Sequence, residues 1–105
     1  MITSEQLESC KRYMRVDDQT EDELIRALME AAVIYLRDAG VDEHLATKAL
    51  YDVALWSLTL YYYDHRDDVS AGAAGLPAGL RPIISQLKIS CQLRAAVEAA
   101  GLPLT

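Results

Sequence analysis

The chain has 105 residues, of which 51% are hydrophobic and 25% are charged, and this composition is typical of one ordinary globular domain over residues 1–105. Sixteen acidic and ten basic residues give a net charge of −6, which disfavours binding to nucleic acid or anionic membranes through a broad basic surface. Met1–Tyr13 lacks the apolar centre of a signal peptide, and Ala49–Tyr63 is too short to span a membrane. We therefore expect a soluble protein made in the cytosol.

Two helices are predicted in the first half of the chain. Thr3 or Ser4 can cap a short first helix, and Thr20–Glu23 has the pattern of a capping box that opens the second. Gly40 is expected to end this second helix. Between the capping box and Gly40, apolar side chains recur every three or four residues, at Leu24, Ile25, Leu28, Ala31, Ala32, Tyr35 and Leu36.

The third predicted helix, capped by Asp42 and reaching Tyr63, is apolar in nearly every direction around its axis. Such a helix should be buried on all sides, and a domain of this size offers only two or three other helices to cover it. We therefore expect part of its surface to contact another protein chain. The candidates for that interface are Trp56, Leu60, Tyr61, Tyr62 and Tyr63.

A glycine-rich segment separates this helix from the last one. Its composition predicts a flexible loop over Asp67–Gly79, and a helix is expected to follow from Leu80 or Arg81, with Pro82 in its first turn. From Leu87 to Leu93 apolar and polar residues alternate, which fits a strand, but we favour a helix that ends before Gly101. The predicted fold is an all-α bundle of three main helices and a short N-terminal one.

Residues that carry catalytic or metal chemistry are sparse. Cys10 and Cys91 form no CxxC motif, so reduced thiols are expected, with a disulfide as the alternative. His44 and His65 have no further ligands at metal-binding spacing. The charged run Asp64–Asp68 fits a helix end better than an acid–base site. We expect no enzyme activity, no metal and no cofactor.

Three segments, in this order, resemble the small head–tail connector proteins (also called head-completion or adaptor proteins) of tailed bacteriophages and prophages. They are Lys11–Asp17 with the acidic-capped helix after it, Leu60–Asp67 at the end of the long apolar helix, and Leu76–Lys88 with its Leu-Pro-Ala-Gly turn. The resemblance covers roughly Leu7–Lys88. His65 stands where this family usually has Asn, Met14 stands where it usually has Leu, and the tail after Lys88 has no counterpart.

The resemblance implies a structural virion protein at the head–tail interface, assembled in the bacterial host cytoplasm. Copies would form an oligomeric ring under the portal protein, extend the channel through which packaged DNA passes without sequence-specific binding, and dock a downstream connector or tail-completion protein. By motif position, Arg66 would join the interface, and it could pair with Asp17 or Asp22 or simply hold the fold together. The predicted portal or channel loop includes Asp67, Asp68, Gly72 and Gly75, and the structural motif residues are Arg15, Asp17, Asp22, Pro77 and Gly79.

Two other classes of protein compete with this interpretation. A small acidic helical regulator that binds one protein partner would use the same tyrosines, but it would form a defined one-to-one complex instead of a ring. A helix-turn-helix DNA-binding domain would need a basic recognition helix, and the long apolar helix has only Lys48 and Arg66, at opposite ends.

Overall fold

A computed structural model of the chain describes residues 2–65 and 79–101. Within these ranges there are four helices and no strand: α1 (Ser4–Met14), α2 (Asp22–Asp38), α3 (Lys48–Asp64) and α4 (Leu80–Ala99). The predicted all-α bundle is therefore confirmed. The last helix is continuous through the alternating segment, as we favoured, and the strand alternative is excluded.

Helix α1 begins with a capping box that involves Thr3. The Thr3 hydroxyl accepts a hydrogen bond from the Gln6 N–H at 3.1 Å, and the Gln6 side-chain oxygen accepts one from the Thr3 N–H at 2.8 Å. The helix ends at Arg15, which adopts the left-handed conformation with φ of +61° and donates its N–H to the carbonyl of Arg12. Of the two proposed caps, Thr3 is the one used.

The predicted capping box at the start of α2 is wrong. The helix begins at Asp22 after Glu21, whose side chain makes no cap hydrogen bond. Thr20 instead belongs to a turn in which its N–H donates to Oδ1 of Asp18 at 3.2 Å, so the helix starts too late for its hydroxyl to cap it. The acidic first turn is retained in Asp22 and Glu23, where carboxylates favour the positive end of the helix dipole.

Two sequence predictions at the α2–α3 junction, one for Gly40 and one for Asp42, have different outcomes. Gly40 follows the end of α2 with φ of +95°, a conformation that favours glycine, so the predicted stop is confirmed. Asp42 does not cap α3, because it starts a separate turn. Its Oδ1 accepts from the His44 N–H at 2.8 Å, its carbonyl accepts from Ala46, and α3 begins only at Lys48.

Helix α3 is the centre of the bundle, and the other three helices pack against it. Its fully covered side chains are Tyr51, Ala54, Leu55, Leu58 and Thr59. The Thr59 hydroxyl is satisfied because it donates to the Leu55 carbonyl at 2.8 Å. The core that forms around α3 consists of Ile2, Leu7, Cys10, Ile25, Met29, Ala32, Leu36, Val41, Ala46, Tyr51, Ala54, Leu55, Leu58, Leu80, Leu87 and Cys91.

Candidate interaction surfaces

The aromatic residues proposed for an interface occupy different environments on α3. All five candidates, Trp56, Leu60, Tyr61, Tyr62 and Tyr63, are half-buried. Trp56, Tyr62 and Tyr63 pack against the core of their own chain, whereas Leu60 and Tyr61 lie outside that cluster. Leu60 and Tyr61 are thus the members of this set that a partner could reach with the least change to the fold.

Trp56 and Tyr63 each join α3 to another helix. The Trp56 ring lies 5.6 Å from the ring of Tyr13, whose hydroxyl is 3.1 Å from Oγ of Ser57, and these contacts connect α1 to α3. The Tyr63 hydroxyl donates to the carboxylate of Glu21 and so connects the end of α3 to the start of α2. Among the described residues, both side chains thus make contacts within the bundle.

Tyr61 and Tyr62 at the end of α3 contact each other and also have separate neighbours. Tyr61 stacks on the His65 ring with centroids 4.4 Å apart, and its own ring is 6.0 Å from that of Tyr62. Burial raises the pKa of Tyr62, and the neighbouring Tyr35 and Tyr61 add to this shift. The rings of Tyr61 and Tyr62 are thus in contact, while the hydroxyl of Tyr63 connects to Glu21 at the start of α2.

The motif residues near the start of α2 include a buried ion pair. The Lys11 side chain is 4% exposed, and its ammonium nitrogen lies 2.7 Å from Oδ1 of Asp22. Asp22 thus has Lys11 as its partner, while Asp17 is exposed. Gly79 immediately precedes α4 with φ of −72°, a conformation open to any residue. The remaining predicted site residues, Arg66, Asp67, Asp68, Gly72, Gly75 and Pro77, lie outside the described residues.

A cleft of about 480 Å³ opens where α2 ends and α3 begins. Val33 and Tyr51 contribute apolar surface, and Arg37, Glu43 and His44 contribute polar groups. Burial, followed by the nearby Glu43 carboxylate, raises the pKa of Tyr51 to about 12. Its phenol is therefore protonated at neutral pH, so it can donate a hydrogen bond but not act as a base. The sequence does not predict this cleft, because its shape depends on how the end of α2, the junction after it and the start of α3 pack together.

Exposed apolar side chains lie on helices that the sequence analysis did not select for an interface. The most exposed are Leu93 at 63%, Ile89 at 57% and Ile34 at 51%, followed by Tyr13 at 42%. A helical wheel of the last helix would have placed Ile89 and Leu93 opposite Leu87 and Cys91. The alternating pattern did not predict this exposure, because all four residues would lie on the same face of a strand.

Within residues 2–65 and 79–101, no group of three or more His, Cys, Asp or Glu side chains is arranged to hold a metal ion. Over the same residues, every helix is too short or too polar to traverse a bilayer. Comparisons with protein-family models, with curated proteins and with solved structures found no match to this chain.

Proposed function

We propose that this protein is a structural subunit of a phage or prophage virion that assembles into a ring adaptor between the portal and the tail. The ring would extend the channel for packaged DNA and bind the portal protein on one side and a downstream connector or tail-completion protein on the other. The observation that carries the proposal is the ordered resemblance of Lys11–Asp17, Leu60–Asp67 and Leu76–Lys88 to head–tail connector proteins.

Two contacts at the start of α2 are compatible with this proposal, one within the first motif segment and one between the first and second segments. Lys11 of the first segment pairs with Asp22 of the acidic helix start, and Tyr63 of the second segment contacts Glu21 beside it. The first and second segments therefore meet at the start of α2. The all-α bundle is also the fold class that the resemblance implies.

The charge balance is compatible with a channel for DNA. With a net charge of −6, the chain has few cations to hold passing phosphates, and a negative lumen would allow DNA to move without adhering. The same balance disfavours the helix-turn-helix alternative. The regulator alternative has one observation in its favour, the cleft beside Tyr51, which could receive a segment of a single partner.

The proposal is tested in the phage or prophage that encodes the chain. Deleting the reading frame should leave DNA-filled heads without tails in electron micrographs, and supplying the wild-type protein in trans should restore tailed particles. An unchanged yield of tailed, infectious particles after deletion would reject the adaptor function. The regulator alternative instead predicts intact particles and a one-to-one complex of the purified protein with a host protein.

The architecture is tested on the purified protein. Light scattering over a wide concentration range, with electron microscopy of any large species, should detect closed rings. A monomer at every concentration would rule out strong self-association, and addition of the portal protein would then test whether assembly requires a template.

A further inference from the structure

The outward face of α4 forms a long uncharged stripe. Its exposed residues follow one another at helical spacing, so they share one side of the helix. Ile89 and Leu93, at 57% and 63% exposed, lie at its centre. In a chain with 25% charged residues, an exposed helix face without charge indicates a surface that a partner covers. The members of this α4 stripe are Ser85, Gln86, Ile89, Gln92, Leu93 and Ala96.

Basic residues flank the α4 stripe, and the opposite charge is concentrated elsewhere on the chain. Helix α4 has three basic residues and one acidic residue, and its Arg81 and Lys88 are exposed on one edge of the stripe. Within the described ranges, no ion pair engages either of them. The flank is therefore a cationic edge available to an acidic surface.

That acidic surface exists at the junction of α1 and α2. Residues 17–23 contain five acidic and no basic residues. Asp22 is paired with Lys11 and Glu21 contacts Tyr63, which leaves the exposed carboxylates of Asp17, Asp18 and Glu23, here called the acidic corner. The half-exposed ring of Tyr13 at the end of α1 adds apolar surface close to it in the chain.

We propose that the α4 stripe, with its flank of Arg81 and Lys88, binds the acidic corner of a second copy of this chain. Because the two surfaces differ and belong to different helices, one copy can offer its acidic corner to one neighbour and its α4 stripe to another. Repetition of that head-to-tail contact generates a closed ring or a filament. Opposite charges select this pairing over others, since two copies with a net charge of −6 repel one another elsewhere. The inference rests on the ring assembly proposed above, and it assigns the surfaces that build the ring.

Two charge-reversed proteins test the pairing. Arg81→Glu with Lys88→Glu makes both surfaces acidic, and Asp17→Lys with Glu23→Lys makes the corner basic like the α4 flank. Each protein alone should need at least roughly tenfold higher concentration to assemble than the wild type, because like charges then face each other. An equimolar mixture should assemble as the wild type does, with the two variants alternating. Sedimentation velocity at low salt measures this, and thermal unfolding checks that each variant folds.

The control is Arg12→Glu with Arg37→Glu, which has the same net charge as the reversed α4 protein but leaves both surfaces unchanged. Both arginines are exposed, and this control should assemble like the wild type. The inference is overturned if each reversed protein assembles normally, or if the mixture assembles no better than its components. It is also overturned if the dissociation constant for self-association of the wild type is above about 1 mM. The adaptor function is judged separately, by the tailed particles after deletion, so the two can fail independently.

Discussion

The ammonium group of Lys11 lies 2.7 Å from Oδ1 of Asp22, and this ion pair joins the end of α1 to the start of α2. The Lys11 side chain is almost completely covered, whereas the Asp22 side chain is 28% exposed. Asp22 raises the pKa of Lys11, first through direct contact and also through its charge. The lysine charge is thus retained in a buried position because one carboxylate compensates it.

Replacing Asp22 should lower the stability of the protein more than replacing Lys11. Asp22→Asn leaves a buried ammonium whose nearest other carboxylate is Glu8 at 3.9 Å, whereas Lys11→Met removes the charge and retains an apolar stem. We expect Asp22→Asn to lower the urea midpoint more than Lys11→Met, and the double variant to recover part of the loss. Equal midpoints for the two single variants would contradict the predicted asymmetry, and additive losses in the double variant would show that the pair contributes little.

The stability of the protein should decline at alkaline pH because of Cys10. Burial raises the pKa of this fully covered thiol from 9.0 to about 11, against a smaller opposite effect of the Thr59 hydroxyl. Since the folded protein holds this proton more tightly than the unfolded chain, stability is unaffected below pH 9. It then falls by about 3 kcal/mol between pH 9 and 11.

Urea unfolding between pH 7 and 11 measures this decline. In the Cys10→Ala variant, the part of the fall in unfolding free energy that the thiol causes should be absent. The Cys91→Ala variant retains Cys10 and should show the same fall as the wild type. Buried Tyr51, with its pKa of about 12, extends the loss above pH 10 in every variant. The thiol assignment would be contradicted by identical pH profiles for the two cysteine variants.

Leu58 and Leu93 provide a matched pair of leucine-to-alanine substitutions. Leu58 is completely buried in the centre of α3, so Leu58→Ala should destabilise the protein by about 2–5 kcal/mol through lost burial and the cavity left behind. Leu93 is 63% exposed, and its substitution should change monomer stability by less than about 0.5 kcal/mol. Chemical unfolding at low protein concentration tests both, and a large effect at Leu93 would mean that its side chain is packed within the chain.

Substitution by alanine should destabilise the protein at Gly40 but not at Gly79. Gly40 has φ of +95°, and a Cβ there would lie 3.2 Å from Cε of Lys88, so Gly40→Ala should cost about 1–2 kcal/mol. Gly79 has φ of −72° and open space around it, so Gly79→Ala should be neutral or stabilise by up to about 1 kcal/mol. Thermal unfolding measures both, and a loss at Gly79 comparable to that at Gly40 would contradict the conformational explanation.

The helices themselves could be predicted from the sequence, but two of their beginnings could not. The stop at Gly40 and the start near Leu80 depend on local conformation, which nearby residues determine. The starts of α2 and α3 were misplaced because Asp18 and Asp42 use their side chains in turns that precede the helices. Short polar side chains serve helix caps and turns equally well, so their sequence pattern does not distinguish the two.

The exposure of the candidate surfaces depends on the packing of the bundle more than the fold class does. The sequence showed that α3 is apolar all round, but the bundle covers most of that surface. Among residues 2–65 and 79–101, the most exposed large apolar side chains are Ile89 and Leu93. Which apolar residues remain outside depends on how many helices pack on each face, and that is a property of the whole bundle.

The sequence by itself determined the helical class, the acidic charge and the uneven distribution of charge along the chain, because composition and helical spacing are local properties. Only the tertiary structure decided that Lys11 pairs with Asp22, that Tyr63 contacts Glu21, and that one face of α4 stays uncovered. These relationships join residues that are distant in sequence or depend on what the neighbouring helices cover. The packing of α1, α2 and α4 around α3 therefore sets them, and no residue pattern along the chain encodes them directly.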